Sequence, residues 1–132
     1  MKFSILALAA LAVPGLASAI PEPVEASKIQ ERANCKFTIQ WKSNWYENAL
    51  RRYRVQLITS PRNDDHLTLY CDQVKKLSVQ LENVQCYWRD GIYVLDISEA
   101  QGPAGHDQYK RQHRIASDIF AKGTGCDVVR NT

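Results

Sequence analysis

Apolar and polar side chains alternate along much of the chain beyond residue 34. Cys35, Phe37, Ile39 and Trp41 alternate with Lys36, Thr38 and Gln40, a period of two that predicts a half-buried strand. The next stretch repeats the pattern, with Tyr53, Val55 and Leu57 on one side and Arg52, Arg54 and Gln56 on the other. Ser60-Pro61-Arg62-Asn63-Asp64-Asp65 is a turn cluster. Leu67, Leu69 and Cys71 then alternate again, followed by Leu77, Val79 and Leu81. The phase slips at Glu82-Asn83, after which Val84, Cys86 and Trp88 carry the apolar side, so a bulge or a strand break is expected there. Asp90-Gly91 between apolar runs predicts a hairpin. Ile92 to Ile97 is apolar on both phases apart from Asp96, as the most buried, central strand should be. Residues 65–76 admit a second reading: Asp64 can cap a helix from Asp65 to Lys76, with Leu67, Cys71 and Val74 at helical spacing. The strand is preferred for Leu67–Cys71.

The character changes after the loop Gln101-Gly102-Pro103-Ala104-Gly105. From His106 to Lys122, Tyr109, Gln112 or His113, Ala116, Ile119 and Phe120 trace one face, while Lys110, Arg111, Arg114 and Ser117 lie mostly off it. This predicts an amphipathic helix with Lys122 favouring its C-terminal dipole and Gly123 as the C-cap. The pattern as a whole predicts an α+β fold: a small antiparallel sheet or sandwich of about five strands with one C-terminal helix.

The N-terminus adds the compartment. Lys2 precedes an apolar run from Phe3 to Val13, Pro14-Gly15 breaks it, and Ala17-Ser18-Ala19 has the small-x-small pattern that a signal peptidase cuts after. The run is too short to span a bilayer, and no other stretch is long and apolar enough to try. Residues 1–19 are therefore read as a signal peptide, residues 20–33 as a flexible leader or pro-segment ending near Arg32, and residues 34–132 as one globular domain. The expected location is extracellular. Without Lys2, sixteen Lys and Arg face fourteen Asp and Glu, a mild balance that does not demand nucleic acid and permits a wall, a membrane surface or an acidic protein as partner.

Cys35, Cys71, Cys86 and Cys126 all lie beyond the signal, and four cysteines in a secreted chain read as two disulfides. No metal or other cofactor is expected, because no C-x-x-C pair exists and His66, His106 and His113 show no ligand spacing to a cysteine. If Leu67–Cys71 and Leu77–Leu81 are neighbouring strands of a meander, Cys71 and Cys86 are too far apart to bond, and the expected pairs are Cys35–Cys86 and Cys71–Cys126.

No catalytic motif is complete, and no catalytic residue is assigned. His66 beside Asp64 and Asp65, or His113 beside Lys110 and Arg114, would be the groups a small ribonuclease would use, but both read more simply as solvated surface histidines. Arg51, Arg52 and Arg54 form one basic set and Lys110, Arg111 and Arg114 another. They would merge into a single anion-binding patch if helix and strand shared an edge. Trp41, Tyr53 and Trp88 fall on the core phase of their strands, whereas Trp45 and Tyr46 fall in a predicted loop, where they are the better candidates for an exposed contact.

The layout resembles small secreted fungal proteins of the effector type: an Ala- and Leu-rich signal, a short Pro/Glu leader ending near an arginine, and a compact domain with two disulfides. The resemblance is one of architecture and carries no functional residues. Compact β-sandwich effectors usually lack a long terminal helix. The α/β killer-toxin-like class expects two helices on one sheet, which requires the helix reading of residues 65–76. The function expected from the whole reading is that of a monomeric, secreted, non-enzymatic protein that binds a host or competitor molecule, with a secreted hydrolase such as a ribonuclease, or a toxin-like protein active on membranes or walls, as alternatives.

Overall fold

The computed structural model of the protein describes residues 34–132, so the predicted signal peptide and leader lie outside the described residues. Two long strands open the domain, β1 (Lys36–Glu47) and β2 (Leu50–Ser60). They pair antiparallel around Asn48-Ala49, both at positive φ, as a tight hairpin between right-twisted strands requires. A helix follows, α1 (Asp64–Leu77), then a 3-10 turn (Gln80–Glu82) and the strands β3 (Gln85–Arg89) and β4 (Ile92–Glu99). The chain ends with α2 (Pro103–Thr124) and a short strand β5 (Asp127–Asn131). The sheet order is β3-β4-β2-β1-β5. All neighbours are antiparallel except β5, which runs parallel to β1, so the sheet is mixed rather than purely antiparallel.

The α+β class, a count of five strands, the long C-terminal helix and two disulfides are present as the sequence predicts, although β5 stands where no strand was expected. The Asp90-Gly91 hairpin is also present, with both residues at positive φ. β4 is an interior strand, buried from Val94 to Glu99, although the middle place in the sheet belongs to β2.

The main correction concerns residues 64–81. The predicted strands Leu67–Cys71 and Leu77–Leu81 do not form, and the helix that was the second reading does. Its buried residues, Leu67, Tyr70, Cys71 and Val74, follow the helical repeat, whereas Leu69, which suggested alternation, points outward. The cap is Asn63, one residue before the expected Asp64; its side chain accepts from the His66 N–H at 3.1 Å. Asp64 and Asp65 in the first turn and Lys75 and Lys76 in the last complement the helix dipole. The phase slip at Glu82-Asn83 is neither a bulge nor a break within a strand, since no strand precedes it: the 3-10 turn ends on Asn83 in the left-handed region (φ 44°), before β3 begins at Gln85.

That helix also overturns the expected disulfide pairing. The bonds are Cys35–Cys126 and Cys71–Cys86, with Cα separations of 4.7 and 6.4 Å. α1 carries Cys71 across the sheet onto β3, which holds Cys86. The parallel register Lys36↔Asp127 sets Cys35 beside Cys126.

Both helices pack on the same face of the sheet. Phe37, Ile39, Tyr53, Val55, Leu57, Leu95 and Ile97 meet Leu67, Tyr70 and Val74 of α1 and Tyr109, Ala116 and Phe120 of α2. Tyr109 stacks on Tyr53 at 4.3 Å between ring centroids, and Phe37 contacts both Tyr70 and Phe120. Tyr53 is thus core as expected. Trp41 and Trp88 are not; they remain 42% and 49% exposed.

α2 begins three residues before the predicted His106, with Pro103 in its first turn, and ends two residues later on Gly125, whose φ of 76° makes it the cap in place of Gly123. Gly105 packs directly against the Ala100 backbone, and a Cβ there would overlap the Ala100 carbonyl oxygen. Alanine normally favours a helix interior by about 1 kcal/mol over glycine, but here the overlap decides the sign. Gly105→Ala is expected to destabilise the fold by about 3 kcal/mol. Gly123→Ala, in open space on the same helix, is expected to stabilise it by about 1 kcal/mol. Urea unfolding midpoints of the two variants check this, and a loss at both positions would show that space at Gly105 is not the determinant.

Candidate functional site

The predicted basic surface divides in two. Lys110, Arg111 and Arg114 lie exposed on the outer side of α2, as expected. The strand set does not join them. Arg52 is buried, with one guanidinium nitrogen donating to Ser98 Oγ at 2.8 Å and the other to Asn83 O and Gln85 Oε1 at 2.9 and 3.0 Å. Arg54 is held in a fork by Asp96, at 2.8 and 2.9 Å. It also donates to the Tyr87 hydroxyl at 2.6 Å. The bonds to Asp96 raise its basicity, and burial with the Asp96 bond raises the Tyr87 pKa. Arg51 donates to Asn44 Oδ1 and Gln101 Oε1. Arg52 and Arg54 point to the sheet face away from the helices, so their charges stabilise that face instead of extending the helical patch.

α1 supplies what the strand does not. The two helices pack antiparallel, as Tyr70 beside His113 and His66 beside Phe120 show, and Gln112 Nε2 reaches the Leu77 carbonyl at 3.3 Å. The C-terminal turn of α1, with Lys75 and Lys76, is therefore level with the turn of α2 that bears Lys110, Arg111 and Arg114. All five are exposed, and none makes an ion pair among the described residues. Lys75 and Lys76 were missed because the strand reading of this region gave them no common face with α2.

Trp45 and Tyr46 lie in β1, not in a loop. Lys42 is an extra residue in the β1–β2 pairing, where the register shifts from Trp41↔Val55 to Ser43↔Arg54. The bulge exchanges the faces of everything after it. Trp45 is thereby placed on the side of Arg54, whose guanidinium sits 4.8 Å from its ring centre, and its indole N–H donates to Glu47 at 2.7 Å. Tyr46 is 60% exposed and presents its ring to solvent.

Neither histidine is a solvated surface group. His113 is fully buried between the helices, with Nδ1 2.7 Å from the Tyr70 hydroxyl and a buried Nε2 that has no partner among the described residues. Burial pushes its pKa down to about 4, so it is neutral near pH 7. His66 is half-buried at the edge of Phe120, with Nδ1 3.8 Å from Cys126 Sγ. Its ring and the sulfurs of Cys35 and Cys126 lie within 4.8 Å of one another, but both sulfurs are bonded in the disulfide and offer no thiolate to a metal.

The sequence reading also missed a buried carboxyl pair. Glu82 in the 3-10 turn and Glu99 at the end of β4 are both buried and within hydrogen-bonding reach of each other. Burial and the neighbouring Glu82 raise the Glu99 pKa to about 9. A signal was present, because the core phase of Leu95 and Ile97 continues to Glu99. Beside the pair opens a cleft of about 470 Å³, lined by Glu47, Asn48, Leu50, Gln80, Leu81, Asn83 and Ser98. Comparison of the chain with family models, curated proteins and solved structures returns no match. No helix among the described residues is long and apolar enough to cross a membrane.

Proposed function

We propose that the protein is a secreted, non-enzymatic binding protein of the effector type, which docks an acidic macromolecule of a host or competitor on the outer face of its helix layer. The observation that carries this reading is that Lys75 and Lys76 of α1 and Lys110, Arg111 and Arg114 of α2 are exposed at one level of the antiparallel helix pair, none of them ion-paired among the described residues. An exposed, unneutralised cation group of this kind attracts a polyanionic surface and orients its approach. Two disulfides, one closing nearly the whole domain, fit an oxidising compartment. Two helices on one sheet face are what the resemblance to the killer-toxin-like class implies. The ribonuclease alternative loses its second histidine, since His113 has no route to a substrate.

Arg111→Glu combined with Arg114→Glu should leave folding intact, because exposed helix positions usually tolerate change within about 0.5 kcal/mol. The same variant should elute from a heparin column at clearly lower salt, and should lose its acidic protein partner in pull-downs at low ionic strength. Unchanged retention and unchanged pull-down would reduce the basic face to a solubilising surface. RNA cleavage by the purified protein would favour the hydrolase reading instead.

A further inference from the structure

The segment between α1 and β3 is tied to β2 through Arg52, which donates to Asn83 O at 2.9 Å, and to α2 through Gln112, and it carries the two most exposed large apolar side chains of the described domain, Val79 at 66% and Leu81 at 77%. Its inward anchor is Glu82. One Glu82 oxygen accepts from the Val79 N–H at 2.8 Å, and Gln112 Nε2 of α2 donates to both oxygens at 3.2 and 3.3 Å. Glu99 of β4 completes the anchor, and its buried Oε2 has no hydrogen-bond partner among the described residues.

No cation among the described residues is ion-paired with either carboxylate: buried Arg52 of β2 spends its donors on Ser98 Oγ, Asn83 O and Gln85 Oε1. From β2, Arg51 pairs across the sheet with Glu99, yet its guanidinium is directed to Asn44 and Gln101. Tyr53 of β2 is neutral, its pKa raised first by burial and further by Glu99. α2 contributes the uncharged Gln112, and the end of α1 contributes the Leu77 carbonyl and the Ser78 hydroxyl, both bonded to Gln112. His106 of α2 is turned to the Tyr53 ring, 5.8 Å between centroids. Two carboxylates cannot both ionise at such range without strong repulsion in a poorly solvated site.

We propose that Glu82 and Glu99 share one proton as a latch, which holds residues 78–84 against α2 and β4 in acid and neutral media and releases them as the medium turns alkaline. When the shared proton leaves to solvent, the two carboxylates repel. The 3-10 turn is the element free to move, because β4 is fixed by strands on both sides. Leu81, Gln80 and Asn83 line the adjacent cleft, so release of the latch also reshapes the cleft.

Hydrogen exchange of the peptide covering residues 78–84, corrected for intrinsic rates, tests the latch in wild type and Glu99→Gln. The glutamine amide donates permanently to Glu82 and stands in for the shared proton. At about pH 5 the two proteins should match. Toward pH 9 wild-type opening should grow by up to about tenfold per pH unit, while the variant stays protected. Equal exchange in both proteins at alkaline pH would overturn the proposal. If the variant fails to fold, the Glu99 side-chain carboxyl carbon shift in the wild type decides. A titration well above pH 7 supports the latch, and one near the ordinary value of 4.5 overturns it.

Discussion

Removal of the Cys35–Cys126 bond, by alanine at both positions, should cost clearly more stability than removal of Cys71–Cys86. The bonds close segments of very different length, with sequence separations of 91 and 15. Restriction of the unfolded chain is worth about 3 kcal/mol for a loop near 15 residues and about 4.7 kcal/mol near 100. The native contacts lean the same way. Cys71–Cys86 joins α1 to β3, and both remain held by their own packing or hairpin. Cys35–Cys126 anchors β5, a five-residue edge strand whose sheet partner is β1 alone. For a domain of this size, each kcal/mol shifts the thermal midpoint by roughly 4–8 °C, so the longer bond should be worth on the order of 20 °C or more. Thermal and urea unfolding of the two double variants measure the difference. Equal losses, or a larger loss at Cys71–Cys86, would mean that loop length does not govern these bonds. Amide exchange in the Cys35–Cys126 variant should rise first in Asp127–Asn131.

The second large effect is on the pH profile of stability. His113 titrates near 4 when folded, against an ordinary value of 6.5. Below pH 6.5 the unfolded chain takes up a proton that the native core refuses, so the contribution of His113 is complete above 6.5 and is lost as pH falls toward 4. Glu99 acts in the opposite sense. Its folded value is about 9 against an ordinary 4.5. The native state therefore keeps a proton that the unfolded chain releases, and stability from this group declines as pH rises from 4.5 to 9. Between pH 4.5 and 6.5 the two slopes cancel, and the contribution of the pair forms a plateau that falls on both sides. His113→Leu should remove the acid side and leave a continuous decline from 4.5 to 9. Glu99→Gln should remove the alkaline side and leave stability rising from 4 to 6.5 and level above. His113→Leu also strips the Tyr70 hydroxyl of its strongest partner, an added cost of about 1–3 kcal/mol at all pH values. Unfolding free energies of the three proteins from about pH 4 to 9 provide the check. A His113→Leu profile parallel to wild type would refute the assignment of the acid limb.

Where the side chains face only one neighbour, the sequence was legible. Phe37 and Ile39, or Tyr53, Val55 and Leu57, alternate because a strand has one covered face, and α2 shows its periodicity because only one side meets the sheet. The basic half of the candidate site, Lys110, Arg111 and Arg114, was readable for the same reason. Arg52 and Arg54 were not. They look like surface cations in a strand pattern, and only the cross-strand register brings Ser98 and Asp96 opposite them and turns exposed charge into buried pairing.

The chain by itself determined the α+β class, the Asp90-Gly91 hairpin, the terminal helix and the presence of two disulfides. Each rests on local periodicity, turn chemistry or cysteine number. Tertiary structure decided the rest. Leu67, Leu69 and Cys71 satisfy a strand and a helix alike, and the choice fell to the packing of Tyr70 and Val74 against Phe37, Phe120 and the sheet. That choice in turn set the disulfide partners, aligned Lys75 and Lys76 with α2, and closed Glu82 over Glu99. The parallel place of β5, the reversal of Trp45 by the Lys42 bulge and the burial of His113 likewise depend on residues far apart in sequence. Nearest-neighbour patterns carry no information about such meetings, because the free energy that selects them comes from surfaces joined only after the chain has folded.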